Sequence, residues 1–465
     1  MSFDPSQYRC TIIRGKAKSD LDNLLTLYAR ITEDLTPSPK EDFAMRFNEK
    51  LGKFLGTSIR KTLDNHRTEI VGKLFGMYYE DVEGMVHIGE RTKIFLDNLD
   101  QPFFFKDICY KLQFPNGMDK IQTIRERVEA GISLRPLCYL VTVLQKAQES
   151  KLALSLDEIG YYILNAKDVL CGKVNPEEVV AAVFENREKG KHCVVHTPGK
   201  ASSYDMQHIR EQVALLELAN LVIVKSNKAV YLNEKEKEAI QAFVEGVSKP
   251  LPFDLSHYNL EDRDSVKQMY MEWSQYYSRL SNVAEQRFVT NASALIAPNA
   301  RTEGMQVLAT SGTKQLGDDG ENFVYEYEKQ RVAKFNPRLA GKVKHVGQQR
   351  GLGYDIQSVV AKTGDDSEFV MYLEVKSTKR VTPPDMSKTE WFDQIGVTRN
   401  EWVAAQQHGD YYLIYRVYFT SAGVQVFVIK NPFGKSRQEL LSATPTQYSV
   451  EFGRNAIDSQ FVIHS

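Results

Sequence analysis

Three residues in the last third of the chain have the types and spacing for metal-assisted hydrolysis of a phosphate ester. Asp355 follows Gly353-Tyr354, and Glu374 and Lys376 flank Val375 in the run Tyr372-Leu-Glu-Val-Lys-Ser377. Asp355 and Glu374 lie nineteen positions apart, with the turn-forming stretch Thr363-Gly364-Asp365-Asp366 between them. Antiparallel pairing about that turn brings the two ends together. Residues i and i+2 of a strand share a face, so Glu374 and Lys376 emerge on one side. Two carboxylates and the main-chain carbonyl of Val375 are hard oxygen ligands of the kind Mg²⁺ takes, with Mn²⁺ able to substitute. A cation so held lowers the pKa of a bound water and stabilises charge building on a phosphate. Lys376 then holds or polarises the attacking water. Glu321, on a preceding helix, is a candidate for a further carboxylate.

Each motif alone has an ordinary explanation: an Asp after Gly-Tyr is often a turn residue, and Glu-x-Lys can be a surface pair. Two features argue for more. The strand bearing the charges is otherwise apolar (Phe369-Val-Met-Tyr-Leu373), so the charges fall at the end of a buried strand. Basic residues also surround the motif in sequence: Lys342, Lys344, His345, Arg350, Lys379 and Arg380.

The elements that must position these residues are predicted from about Gly320 onward. A helix over 321–335 carries an apolar stripe (Phe323, Val324, Tyr327, Val332). Short strands follow over 342–346 and 354–361, then a strand over 368–377, a helix over 398–408, and strands over 411–419 and 424–429. Asp355 is expected near the start of one hairpin strand, and Glu374 and Lys376 near the end of the next. The final thirty or so residues have no firm assignment, although Tyr448–Phe452 alternates like an edge strand.

The preceding residues divide by composition. Residues 1–125 and 126–248 each give helices followed by a small hairpin, the order of a winged helix. In the first, helical spacing over 44–55 and 59–77 precedes a hairpin at 78–89. In the second, Ser155-Leu-Asp-Glu158 reads as a capping box and Asn175-Pro-Glu-Glu178 as a second helix start. A helix over 204–219 and a hairpin at 221–232 follow. Residues 249–319 read as a linker with a connecting helix, and 320–465 as the catalytic domain.

A phosphate-ester hydrolase that acts on a polymer needs something to choose its target, and these blocks offer it. The arm Arg9–Lys18 carries Arg14, Lys16 and Lys18 and no acid, which suits phosphate contact or minor-groove insertion. In the first block Asn65, His66 and Arg67 are expected near the start of a groove-reading helix. In the second, Lys200, Ser203, Tyr204, Gln207 and Arg210 lead into the equivalent helix; Gln and Arg are the side chains for bidentate reading of adenine and guanine.

Composition is consistent with a multidomain globular chain. The 465 residues suffice for several cores, and 59 basic against 60 acidic residues give a net charge of −1, which excludes a chain basic throughout but not a local basic patch. No stretch reaches the ~18 apolar residues of a membrane span, and Met1–Arg14 has no apolar run of a secretory leader. Five scattered cysteines without a CxxC pair read as reduced thiols.

Several motifs together carry a family resemblance. Gly320-Glu321-Asn-Phe-Val, Lys344-His-Val346, Gly353-Tyr-Asp-Ile356, Tyr372-Leu-Glu-Val-Lys-Ser-Thr378, Thr398-Arg-Asn-Glu401 and Tyr415-Arg-Val-Tyr418 resemble the PD-(D/E)XK nuclease superfamily, and more narrowly the nuclease-like domain at the C-terminus of NO VEIN-type proteins. The superfamily's Pro is absent, Tyr354 standing before the Asp. The resemblance implies an α/β domain with a central mixed sheet, Asp355 and Glu374 as metal ligands and Lys376 as the catalytic lysine. The first half, in Cys10–Lys18, Thr62–Glu69, Gly72–Met77, Phe104–Cys109, Phe114–Lys120 and Ser203–Gln212, is similar to the recognition half of BpuJI-type Type IIS restriction endonucleases. This implies two mainly α-helical winged-helix subdomains that read a short asymmetric duplex site.

The expected protein is a Mg²⁺-dependent Type IIS-like restriction endonuclease of the bacterial or archaeal cytoplasm, serving phage defence in a restriction-modification system. Its expected partners are double-stranded DNA, a second copy joined through the nuclease domain and a companion DNA methyltransferase, with no membrane. The alternatives are a modification-dependent endonuclease and a DNA-binding regulator with an inactive nuclease-like domain.

Overall fold

The structure, a computed structural model, describes residues 5–12, 18–195, 202–226, 228–296, 316–347, 349, 351–362, 368–387, 391–445 and 448–463. The chain forms two compact units. One comprises Met1–Asp97 and Gln101–Val289, the other Asn98–Asp100 and Thr290–Ser465.

In the first unit a helix over Lys18–Leu35 leads to strand β1 (Ser38–Pro39), helices over Lys40–Leu55 and Arg60–Asn65, a wider-wound helical segment over His66–Leu74, and the hairpin β2 (Tyr78–Glu80) and β3 (Met85–Ile88). These strands pair antiparallel in the order β1-β3-β2. Phe43, Phe47 and Leu51, four residues apart, are the buried stripe of the second helix, which Gly56 ends in a left-handed cap (φ 61°). A second group repeats the arrangement. Strand β4 (Leu154–Ser155) runs into a helix opened by the Ser155–Glu158 capping box, and a box of Asn175 and Glu178 with Pro176 opens the helix Pro176–Glu188. The helix Ser202–Leu218 and strands β5 (Val222–Val224) and β6 (Ala229–Leu232) follow, giving the order β4-β6-β5. Both hairpins and both caps lie where the sequence places them. All five cysteines are free thiols.

The expected linker needs correction. Asp262 caps a helix over Arg263–Ser278 whose Met269, Trp273 and Tyr277 are buried, and the unit continues to Val289. The fully buried guanidinium of Arg91 donates to Asp107 (2.6 Å) and to the carbonyls of Phe75 and Tyr277 (2.7 Å each). This helix is therefore part of the core. Its buried stripe, Met269, Trp273 and Tyr277, stands among other aromatic and apolar residues (Val266, Tyr270, Met271 and Tyr276), which masks it in the sequence.

The second unit is built on a six-stranded mixed sheet. Its strands are β7 (Lys344–His345), β8 (Ile356–Val359), β9 (Val370–Lys379), β11 (Tyr412–Thr420), β12 (Gly423–Lys430) and β15 (Ser459–Ile463), in the order β15-β12-β11-β9-β8-β7. The β9–β11 pair is parallel and every other neighbour antiparallel. Leu373, Val375, Leu413, Tyr415 and Val417 pack with Phe323, Val324 and Val332 of the helix Leu316–Phe335. Tyr412 and Ile414 pack with Trp402 of the helix Arg399–His408. Alternation then puts Glu374 and Lys376, register partners of Ile414 and Arg416, on the Arg399–His408 side.

Two expectations change here. β9 continues to Lys379, because Ser377, Thr378 and Lys379 keep pairing with β11, so Glu374 and Lys376 sit mid-strand and not at its end. Tyr448–Phe452 is not an edge of the main sheet. As β14 it is the middle strand of a separate sheet with β10 (Asp393–Val397) and β13 (Leu441–Pro445), in the order β10-β14-β13. Strand β15 takes the main-sheet edge instead. The expected turn at 363–366 lies outside the described residues.

Candidate active site

The β8–β9 register pairs Ile356 with Leu373, which sets Asp355 opposite Glu374. The bonds agree: Asp355 donates its N–H to the Leu373 carbonyl (2.9 Å), and its Oδ2 accepts from the Val375 N–H (2.8 Å). Lys376 Nζ lies 2.6 Å from Glu374 Oε1. The expected convergence of Asp355, Glu374, Val375 and Lys376 is present.

Glu321 joins from the helix Leu316–Phe335. Two turns further along, Glu328 fastens this helix to the sheet: it takes Arg331 at 2.8 Å, Ser358 Oγ at 2.5 Å and Tyr415 OH at 3.0 Å, while Arg331 donates to the Val359, Val360 and Ala361 carbonyls. Glu321 Oε2 lies 2.6 Å from His345 Nε2 on β7. Gly347 leaves the gap between the carboxylates, since a β-carbon there would come 2.7 Å from Glu321 Oε2 and 3.2 Å from Asp355 Oδ1. Gly347→Ala is thus expected to push Glu321 off His345 and, if this is the hydrolytic centre, to slow cleavage by about tenfold, a barrier change of about 1.4 kcal/mol. Unchanged cleavage would show that Glu321 takes no part.

The electrostatics are those of a carboxylate cluster short of positive charge. Burial, then the neighbouring Glu321, pushes Asp355 up to about 6, against the pull of the Val375 N–H and Lys376. Burial drives Glu374 well above the usual range; Lys376 opposes this, and Asp355 and Glu401 reinforce it. For Lys376, burial works against the charge, but Glu374 and Glu401 outweigh it and hold the ammonium firmly protonated. A divalent cation would relieve the repulsion between Asp355 and Glu374. Among the described residues no three His, Cys, Asp or Glu side chains are grouped as a metal cage. Mg²⁺ needs none, since it takes one or two carboxylates and keeps several waters. Asp355 and Glu374 fit that pattern.

Glu401 is the site residue that the sequence reading missed. Thr398 and Glu401 form a capping box at the start of the helix Arg399–His408, and Glu401 Oε2 also lies 3.0 Å from Lys376 Nζ. The signal was there as Thr398-Arg-Asn-Glu401, one of the motifs of the family resemblance, but its spacing reads as a helix start and gave Glu401 no role at the site.

The basic surroundings need correction. Lys379 is buried against Asp319 (3.3 Å), Arg380 is buried with its Nε donating to the Thr382 carbonyl (2.6 Å), and Lys342 is paired with Glu368. Arg350 lies outside the described residues. Residues adjacent in sequence alternate across the sheet, so a run of bases does not make a basic surface.

In the first unit the structure separates the expected DNA contacts. Gln207 and Arg210 are exposed on the helix Ser202–Leu218, where Gln207 donates to Glu211 (3.0 Å). Ser203 and Tyr204 belong to the same helix. Asn65 is exposed, in the second turn of the helical run that opens at Arg60 and continues through His66–Leu74. His66 is corrected: it is buried, with its Nδ1 2.5 Å from Tyr28 OH. Arg67 is tied to Asp64 (2.7 Å) and Asn48 (3.3 Å). The basic arm is not free at its ends, since Arg9 pairs with buried Asp205 (3.3 Å) and Lys18 with Glu217 (3.0 Å). Arg14, Lys16 and Lys200 lie outside the described residues.

Comparison with known proteins now bears on this arrangement. A family model described as restriction endonuclease BpuJI, N terminal, matches residues 4–274, and one described as protein NO VEIN, C-terminal, matches residues 320–429. The chain thus joins a restriction-endonuclease N-terminal half to a NO VEIN C-terminal-type domain. It belongs to the BpuJI N-terminal family. A similar solved structure is the crystal structure of pyrene- and phenanthrene-modified DNA in complex with the BpuJ1 endonuclease binding domain. It is 46% identical, with a TM-score of 0.57, over 59% of this chain and 98% of that one. No curated protein matches. No helix of the described residues is long and apolar enough to cross a membrane.

Proposed function

We propose that this protein is a sequence-specific restriction endonuclease of the Type IIS kind. Its first unit binds a short asymmetric site in double-stranded DNA, and its second hydrolyses phosphodiester bonds nearby. The observation that carries the reading is the Asp355–Glu374 pairing across β8 and β9, with Lys376 on the same face, in a chain of the BpuJI N-terminal family. The two helix-and-hairpin groups of the first unit are read as winged helices, with Gln207 and Arg210 on the groove-facing helix of the second. The sheet with its two flanking helices is read as the PD-(D/E)XK fold.

Asp355, Glu374 and the Val375 carbonyl are the residues that would hold Mg²⁺. The ion supplies Lewis-acid stabilisation of phosphate charge and a water of lowered pKa. The chain's own groups do the rest. The Val375 N–H fixes the Asp355 carboxylate. Lys376 presents its ammonium to the water and to the developing charge, and Glu321 with His345 closes the cluster. One such centre cuts one strand, so a double-strand break calls for two copies acting together through this domain. A methyltransferase that marks the same site would protect host DNA.

Digestion of a fully sequenced plasmid with Mg²⁺ and with EDTA tests the proposal. Discrete Mg²⁺-dependent fragments are expected, and end sequencing gives the site and the cut offset. A smear would remove sequence-specific cleavage from the proposal. Binding without cutting, on methylated and unmethylated DNA, would replace it with a regulator.

A further inference from the structure

The carboxylate of Glu401 does two things with one oxygen. Oε2 accepts the Thr398 N–H at 2.9 Å, closing the capping box that starts the helix Arg399–His408, and it lies 3.0 Å from Lys376 Nζ. The Glu401 side chain is mostly buried, at 15% exposure, and Lys376 is at 22%. Lys376 Nζ also meets Glu374 Oε1 at 2.6 Å. An ammonium has three donors and no acceptor. Among the described residues, the ammonium is thus paired with carboxylates that belong to different elements, a strand and a helix N-terminus.

We propose that Glu401 is the positioning residue for Lys376. This rests on the nuclease reading above and names how that site is kept in register. Lys376 has a long flexible stem, and Glu374 alone would draw its ammonium onto a carboxylate needed by a metal. Glu401 adds a second anchor on a different element and holds Nζ within reach of both carboxylates, so the ammonium stays at one place from which it can donate to a water or a phosphate oxygen. The helix N-terminus is the rigid part: Glu401 cannot swing away without losing the Thr398 bond. When a cation takes over Glu374, Glu401 remains as the acceptor that keeps the lysine in place.

The test compares wild type, Glu401→Gln and Glu401→Ala in single-turnover cleavage with Mg²⁺, alongside DNA binding and thermal melting. Glutamine still accepts the Thr398 N–H, so Glu401→Gln is expected to melt with the wild type and bind DNA with unchanged affinity while its cleavage rate falls 10- to 100-fold. Glu401→Ala is expected to cut no faster than Glu401→Gln and to melt several degrees lower, because it also loses the cap. A Glu401→Gln rate equal to wild type, or a loss matched by a drop in melting temperature or affinity, would overturn the positioning role and leave the nuclease reading standing. A wild type that cuts nothing would overturn both.

Discussion

Lys376→Ala is expected to lower Mg²⁺-dependent cleavage by at least about 10³-fold and to leave DNA binding unchanged. The rate loss follows from what the ammonium is placed to do. It sits within 3.0 Å of two carboxylates in a largely buried cluster, where a fixed charge is worth far more than in water. Binding is spared because Lys376 belongs to the second unit, whereas the match to the DNA-binding domain of known structure falls in the first. Single-turnover rates and gel-shift titration on one duplex separate the two effects. Equal losses in both would place Lys376 among DNA-binding residues and remove it from the chemistry. A variant that cuts at the wild-type rate would remove Lys376 from the mechanism altogether.

Asp355→Asn is expected to do two opposite things. Cleavage is lost, since a neutral amide is a poor ligand for a hard cation. Stability without metal is gained. Asp355 has its pKa raised by burial and by Glu321, to about 6 from 3.8. Between those values the folded state retains a proton that the unfolded state has released, so stability falls as pH rises through that window. Above it the ionised carboxylate costs the fold about 3 kcal/mol, and asparagine avoids this while still accepting the Val375 N–H. In EDTA at pH 7.5 the variant should resist urea better than wild type, with the advantage fading towards pH 4. Mg²⁺ should stabilise the wild type and not the variant. A variant less stable than wild type at pH 7.5 in EDTA would show that the Asp355 carboxylate is not held against its preference.

Much of the candidate site was legible in the sequence because strand periodicity is local. A turn midway between Asp355 and Glu374 and the i, i+2 rule suffice to bring Asp355, Glu374 and Lys376 together, and the structure places them so. The same locality explains what was missed. Glu401 reaches Lys376 across the sheet face, and nothing within its own helix reveals that. His66 looked like a groove-reading side chain from its neighbours Asn65 and Arg67; only the tertiary position of Tyr28 shows that it is buried. Lys379 and Arg380 read as surface bases, but the continuation of β9 carries Lys379 into the interior, and Arg380, just past its end, is buried as well. The helices and hairpins of the first half followed from caps and periodicity. The connecting helix expected within 249–319 is present over Arg263–Ser278 but packs into the first unit's core, because propensity says where a helix forms and not what it packs against. Strand β10 and the small sheet around β14 are held by long-range pairing, for which the local pattern is weak.

The three residues Asn98–Asp100 belong to the second unit although they come from the middle of the first unit's sequence. The Leu99 carbonyl accepts from the Lys379 N–H (3.3 Å) and from Thr378 Oγ1 (2.9 Å), and Asp100 Oδ2 accepts the Thr290 N–H (2.8 Å). The far end of the strand that bears Glu374 and Lys376 is therefore finished by a short piece of chain encoded nearly two hundred codons upstream of the rest of its unit. The second unit is thus discontinuous in sequence. A chimaera cut at residue 290, to graft the second unit onto another protein, would leave that piece behind and expose the Lys379 N–H and the Thr378 hydroxyl of its central strand, which the Leu99 carbonyl otherwise takes.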